Sequence, residues 1–155
     1  MEELNTRKNI PTRAFFGAHN HTEYSNLHVI DSINRSKDMI DYAWDIGLGG
    51  LAFTDHDCLS GTMEFLDNYV AKLTKEWKKI HGEDAKVPEV EEMSKELNFK
   101  VALGNEIYLS EEGTDETAYR ERGGHFYHYL LIAKDLEGFK QLRQISSNAW
   151  KRGWW

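Results

Sequence analysis

Gly50-Leu51-Ala52-Phe53-Thr54-Asp55-His56-Asp57 is the stretch on which the fold turns. A short apolar run ends in an acid and an imidazole, where the chain leaves what reads as a buried strand. Beyond it the pattern becomes helical. Met63, Leu66, Val70, Leu73, Trp77 and Ile80 are spaced 3, 4, 3, 4 and 3, one apolar stripe that reads as core packing, with Gly82 a natural stop. Before it, a helix is expected from Ser36, a good N-cap residue, to near Gly47, with Met39, Ile40, Ala43 and Trp44 on one face. Further upstream stands another strand-like run, Ala14-Phe15-Phe16-Gly17-Ala18-His19-Asn20-His21, followed by a polar loop over 22–35.

The same alternation continues downstream. Val90, Met93 and Leu97 suggest a short third helix after Pro88. Lys100 to Leu109 is a third strand-like run and His125 to Ala133 a fourth. The polar stretch 110–124 between them has no helical period and reads as a loop. A last helix starts near Asp135 or Leu136, with Phe139, Leu142, Ile145 and Ala149 inward. Strands alternating with helices imply a mostly parallel sheet covered by helices, and in such barrels functional side chains gather at the carboxyl ends of the strands. His19, His21, Asp55 and His56 fall at such ends, and Glu106 lies late in its run. His128 lies early in its run. An antiparallel hairpin of runs three and four brings the end of one beside the start of the other, and so brings Glu106 to His128.

Composition bounds the function. The chain has 155 residues, 40% apolar and 29% charged, enough for one domain with a real core. No apolar run is long enough to span a bilayer, the lead over 1–13 is polar, and Cys58 is the single cysteine. These features fit a reducing, cytoplasmic setting with no membrane partner. The net charge of −7 argues against a general nucleic-acid-binding surface. Two or three bound divalent cations would add about +4 to +6 locally, so an acidic chain can still take a phosphate ester at a metal centre.

The residues that carry chemistry are few. His19 and His21 are two apart at a strand end, so both imidazoles point the same way, as metal ligands do. A lone pair of this spacing is more often two surface histidines. Asp55-His56 can be a helix cap with an incidental histidine. Glu106 stands among apolar residues, where a carboxylate costs several kcal/mol unless it is paired or metal-bound. His128 has His125 as a competing candidate, and Asp31 read alone is a solvated loop acid. Jointly, His19, His21, Asp31, His56, Glu106 and His128 mix nitrogen and oxygen donors, which suits Zn, Mn or Fe rather than Ca or Mg alone.

At these positions the chain resembles the PHP (polymerase and histidinol phosphatase) family. His19-Asn20-His21-Thr22-Glu23-Tyr24-Ser25, with Asp31, resembles its first motif, and Leu51 to Asp57 its second. Ala102-Leu103-Gly104-Asn105-Glu106-Ile107-Tyr108 resembles its glycine–glutamate strand. His128 to Phe139 looks like the segment typical of the bacterial DNA polymerase III alpha subunit. The resemblance runs from Phe15 to Trp150. It implies a distorted (β/α)7 barrel, of which 14–155 would be the amino-terminal part, with up to three divalent metals at its mouth. Carried over by position, His19 and His21 would hold one metal, Glu106 would bridge two with His128 on the second, and Asp31 and His56 would serve the third. Asp55 would orient a ligand. With His56 and Glu106 it completes the set assigned to catalysis. The reaction implied is metal-dependent hydrolysis of a phosphate ester, at a DNA 3′ end in the polymerase setting. The partners implied are the remainder of a polymerase chain and other replisome subunits. The family also includes non-catalytic docking modules and free-standing histidinol-phosphatase-like enzymes.

Three further expectations follow. A complete barrel of this kind needs roughly 250 residues, so 155 residues accommodate only its first part, without the family's later ligands. Thr74 to Asn98 reads as an insertion. The ending Trp150-Lys151-Arg152-Gly153-Trp154-Trp155 is expected to be covered by further chain, or else to be a basic–aromatic patch that stacks bases.

Overall fold

The computed structural model describes residues 15–27, 32–110 and 126–152. The lead over 1–13, Asp31, most of the polar stretch 110–124, His125 and the terminal Trp154-Trp155 lie outside the described residues. The elements in order are β1 (Phe16–Gly17), a 3-10 turn (Glu23–Leu27), α1 (Ser36–Asp45), β2 (Gly50–Phe53), α2 (Thr62–His81), α3 (Val90–Glu96), β3 (Lys100–Ser110), β4 (Phe126–Ile132) and α4 (Leu136–Arg152). Four strands form one sheet in the order β1-β2-β3-β4. The first three are parallel and β4 runs antiparallel to β3, the α/β part-barrel with a terminal hairpin that the sequence pattern predicts.

β2 is buried along its whole length, as expected for a strand covered on both faces. Gly50, with φ 155°, makes its close approach to β3 feasible: a Cβ there would lie 2.0 Å from the Lys100 carbonyl oxygen. The core gathers Ile40 and Ala43 from α1, Leu51 and Phe53 from β2, Phe65, Tyr69, Leu73 and Trp77 from α2, and Met93, Leu97 and Phe99 from the α3 region.

Three expectations need correction. The buried face of α2 is Phe65-Tyr69-Leu73-Trp77, while Met63, Val70 and Ile80 of the predicted stripe are exposed. The two stripes share Leu73 and Trp77, and the helix turns so that the Phe65 and Tyr69 rings are the ones removed from water. The stretch Thr74 to Asn98, read as an insertion, holds the last two turns of α2, and its α3 segment delivers Met93 and Leu97 to the core. Ser36 lies inside α1 behind Arg35 as N-cap, and its hydroxyl donates to Glu64 Oε1 at 3.1 Å instead. On α4, Leu142 is buried as expected, whereas Ile145 is 40% exposed.

Candidate metal centre

The sheet register assembles the site. His19 and His21 follow β1, and their Nε2 atoms lie 2.8 Å apart. Beyond β2, Glu106 N donates to the Asp55 carbonyl at 3.0 Å and Asp57 N to the Glu106 carbonyl at 2.9 Å, so His56 is laid alongside Glu106. In the hairpin, Glu106 faces Leu130 and Tyr108 faces His128. His128 is therefore the diagonal neighbour of Glu106 on the same face of the sheet.

Around Glu106 the imidazoles converge. His19 Nε2 contacts Oε2 directly, His21 Nε2 lies 2.9 Å from the same oxygen, and His56 Nδ1 is 4.0 Å away. His128 Nδ1 contacts the other oxygen, Oε1. Two groups of donors result, His19-His21-Glu106 and His56-Glu106-His128, each with its atoms within 4.8 Å of one another and with Glu106 common to both. Burial acts to raise the Glu106 pKa, but hydrogen bonds from His19 and His128, with the charge of His56 nearby, hold it below the ordinary carboxylate range. The carboxylate is 3% exposed, so it is an ionised group sheltered from water and ringed by Lewis bases. Nitrogen lone pairs gathered on carboxylate oxygens require cations between them, either protons or a metal, and the mixed N/O donor set fits a borderline divalent ion.

Behind the donors lies a hydrogen-bonded support. Asp55 is fully buried and accepts from Thr22 N at 2.5 Å, Thr22 Oγ1 at 2.6 Å and Ser25 Oγ at 2.7 Å. The Ser25 hydroxyl proton is thereby committed to Asp55. Its oxygen accepts from His56 N at 3.1 Å and is 3.1 Å from His21 Nδ1. Nδ1 of His21 must then be the protonated nitrogen, which leaves the Nε2 lone pair facing Glu106 and His19. On the other side of the strand end, Asn20 Nδ2 donates to the carbonyls of Gly17 and Ala52 at 2.7 and 3.0 Å, tying β1 to β2.

Five of the residues assigned from sequence thus come together: His19, His21, His56, Glu106 and His128. Asp55 reaches the cluster through its carboxylate, by way of Ser25, and through its carbonyl, which accepts from Glu106 N. Asp31, with the third-metal role given to it, lies outside the described residues, as does His125. Thr22 and Ser25 were not singled out by sequence, although both stand inside the first motif. Among the described residues, no helix is long and apolar enough to cross a membrane.

An α/β part-barrel whose strand ends gather imidazoles around one shared carboxylate defines a class of metal-site domains. Residues 18–154 match the PHP domain, and the chain belongs to the PHP family. It is 34% identical over 142 residues to a probable DNA polymerase, YorL, of Bacillus subtilis, and equally to a DNA-directed DNA polymerase of Bacillus phage SPbeta, covering 90% of this chain and 9% of each relative. It is 26% identical over 140 residues to the DNA polymerase III subunit alpha of Treponema pallidum, covering 90% of this chain and 10% of that protein. The chain thus spans about a tenth of the length of the curated relatives it matches. It is a PHP domain, and the relatives named above are DNA polymerases.

Proposed function

We propose that this chain is the amino-terminal part, residues 14–155, of a metal-dependent phosphoesterase domain that hydrolyses phosphodiesters at a DNA 3′ end within a replicative polymerase. The observation that carries this reading is Glu106, one buried carboxylate shared by two imidazole groups. His19, His21 and Glu106 would hold one divalent ion and His56, Glu106 and His128 a second, with Asp31 serving a third alongside His56. Zn, Mn or Fe bound there would supply Lewis acidity towards water and the phosphate oxygens. The chain's own residues do the placing. Glu106 spans both groups, Asp55 and Ser25 fix the tautomer of His21, and the Asp55–Glu106 backbone bridge sets His56 against the shared carboxylate. The partners are the single-stranded 3′ end of DNA, the rest of a polymerase chain and other replisome subunits.

The test is metal content after loading with Zn, Mn or Fe, paired with cleavage of a 3′-labelled single-stranded oligonucleotide. His19→Ala and His128→Ala should each lower the metal stoichiometry, and Glu106→Ala should lower it further than either. Protein that takes up no metal under any loading condition would defeat the proposal. This part alone is expected to cleave weakly or not at all, so cleavage is measured in the complete domain, where metal uptake without cleavage would leave a docking module in its place.

A further inference from the structure

Tyr108 faces the same side of β3 as Glu106, because side chains two apart on a strand share a face. Its ring lies parallel to the His56 imidazole, with centroids 5.6 Å apart and planes at 6°. The same ring meets His128 edge-on, at 4.8 Å and 86°. These two imidazoles arrive on separate elements, one on the segment after β2 and one on β4, and they cross each other at 85° with centroids 5.2 Å apart. One aromatic ring therefore touches both histidines of the second donor group. We propose that Tyr108 is a positioning residue: its ring fixes the planes of His56 and His128 so that both direct a nitrogen at the cation held by Glu106. This rests on the metal-centre reading above.

Two features set this contact apart from ordinary packing. Tyr108 is 40% exposed, so it stands at the rim of the site and not in the core. A ring face also orients an imidazole without competing for either nitrogen. The first donor group uses a different device, the Ser25 hydroxyl on His21 Nδ1. The imidazole planes of the two groups are thus set by different contacts, although Ser25 also accepts from the backbone N of His56.

The experiment is equilibrium titration with Co(II), read by its visible absorption and by metal analysis, on wild type, Tyr108→Phe and Tyr108→Leu. The same substitutions are made in the His19→Ala and His128→Ala backgrounds. Tyr108→Leu should weaken Co(II) binding about tenfold in the wild-type and His19→Ala proteins. It should add nothing in His128→Ala, where the second group is already broken. Tyr108→Phe keeps the ring and should bind as wild type. Equal losses in both histidine backgrounds, a Tyr108→Leu protein that binds as wild type, or a Tyr108→Phe protein as weak as Tyr108→Leu would each overturn the proposal. Wild-type protein that binds no Co(II) would overturn the metal-centre reading and this inference with it, and is distinguished by the wild-type titration alone.

Discussion

Ser25 donates its hydroxyl proton to Asp55 Oδ1 at 2.7 Å, and that single bond decides which nitrogen of His21 carries a proton. Ser25→Ala removes the acceptor of His21 Nδ1 and of His56 N. Each freed group is worth about 1 kcal/mol, and metal affinity should fall about tenfold as His21 loses its fixed tautomer. Asp55→Ala leaves three buried donors without their acceptor and should cost about 3 kcal/mol or more of stability. Chemical denaturation and a metal titration on both variants check this. Unchanged metal affinity in Ser25→Ala would show that the tautomer of His21 is set elsewhere.

The α2 helix offers a paired test of which face is buried. Phe65 is fully buried and its ring centroid lies 5.0 Å from that of Phe53, whereas Met63, two residues earlier, is 67% exposed. Phe65→Ala should therefore destabilise the protein by about 3–5 kcal/mol, and Met63→Ala by no more than about 0.5 kcal/mol. Denaturant midpoints of the two variants settle the orientation. Similar losses from both would place Met63 in the core after all.

The same helix shows where the sequence is readable and where it is not. Strand positions are legible because apolar runs are short and end in polar residues. The hairpin follows from one anomaly, His128 at the wrong end of its run, which only an antiparallel β4 reconciles with Glu106. The rotation of α2 is not legible, because two stripes of helical period overlap at Leu73 and Trp77 and periodicity weighs them alike. Burying the two rings, Phe65 and Tyr69, then carries Lys72 and Glu76 inward, and a lysine or glutamate in a sequence signals surface. Thr22 and Ser25 are likewise hidden. A small hydroxyl has no pattern of its own, and its role appears only when the 22–25 turn is laid against Asp55.

Gly104 lies two residues before Glu106 in the strand that carries the shared carboxylate. A Cβ there would stand 2.5 Å from the Leu131 carbonyl oxygen and 2.8 Å from Thr54 Cγ2. Neither the paired backbone of β4 nor the fully buried Thr54 can yield without moving the sheet. Gly104→Ala should cost about 1–3 kcal/mol by overpacking and should weaken metal binding by displacing β4, and with it His128, from Glu106. Thermal unfolding and metal titration measure the two effects. A stable variant with intact metal binding would mean that the hairpin gives way freely at this point.

Lys72 is almost wholly buried between α1 and α2, with its ammonium 2.8 Å from Asp41 Oδ1 and 3.2 Å from Glu76 Oε1. It also lies over the Trp44 ring, 5.5 Å from the centroid. Burial pushes the Asp41 pKa up, but Lys37 and Lys72 outweigh it and the net shift is downward. For Lys72, burial acts against the ammonium, and Asp41 and Glu76 outweigh that, so its pKa is raised. The signs fix the pH windows. Asp41 binds its proton less readily in the folded state, so its contribution is present above the ordinary carboxylate pKa of about 4 and is lost as pH falls through the lower folded value. The Lys72 contribution is present below its ordinary pKa of about 10.4 and is lost only as pH rises through the raised folded value. Asp41→Asn should therefore be less stable than wild type from about pH 5 to 9, with the difference closing as the solution is acidified below about pH 4. Urea denaturation of both proteins across this range is the measurement. A difference that stays constant down to pH 2 would assign the effect to packing of the side chain and not to its charge.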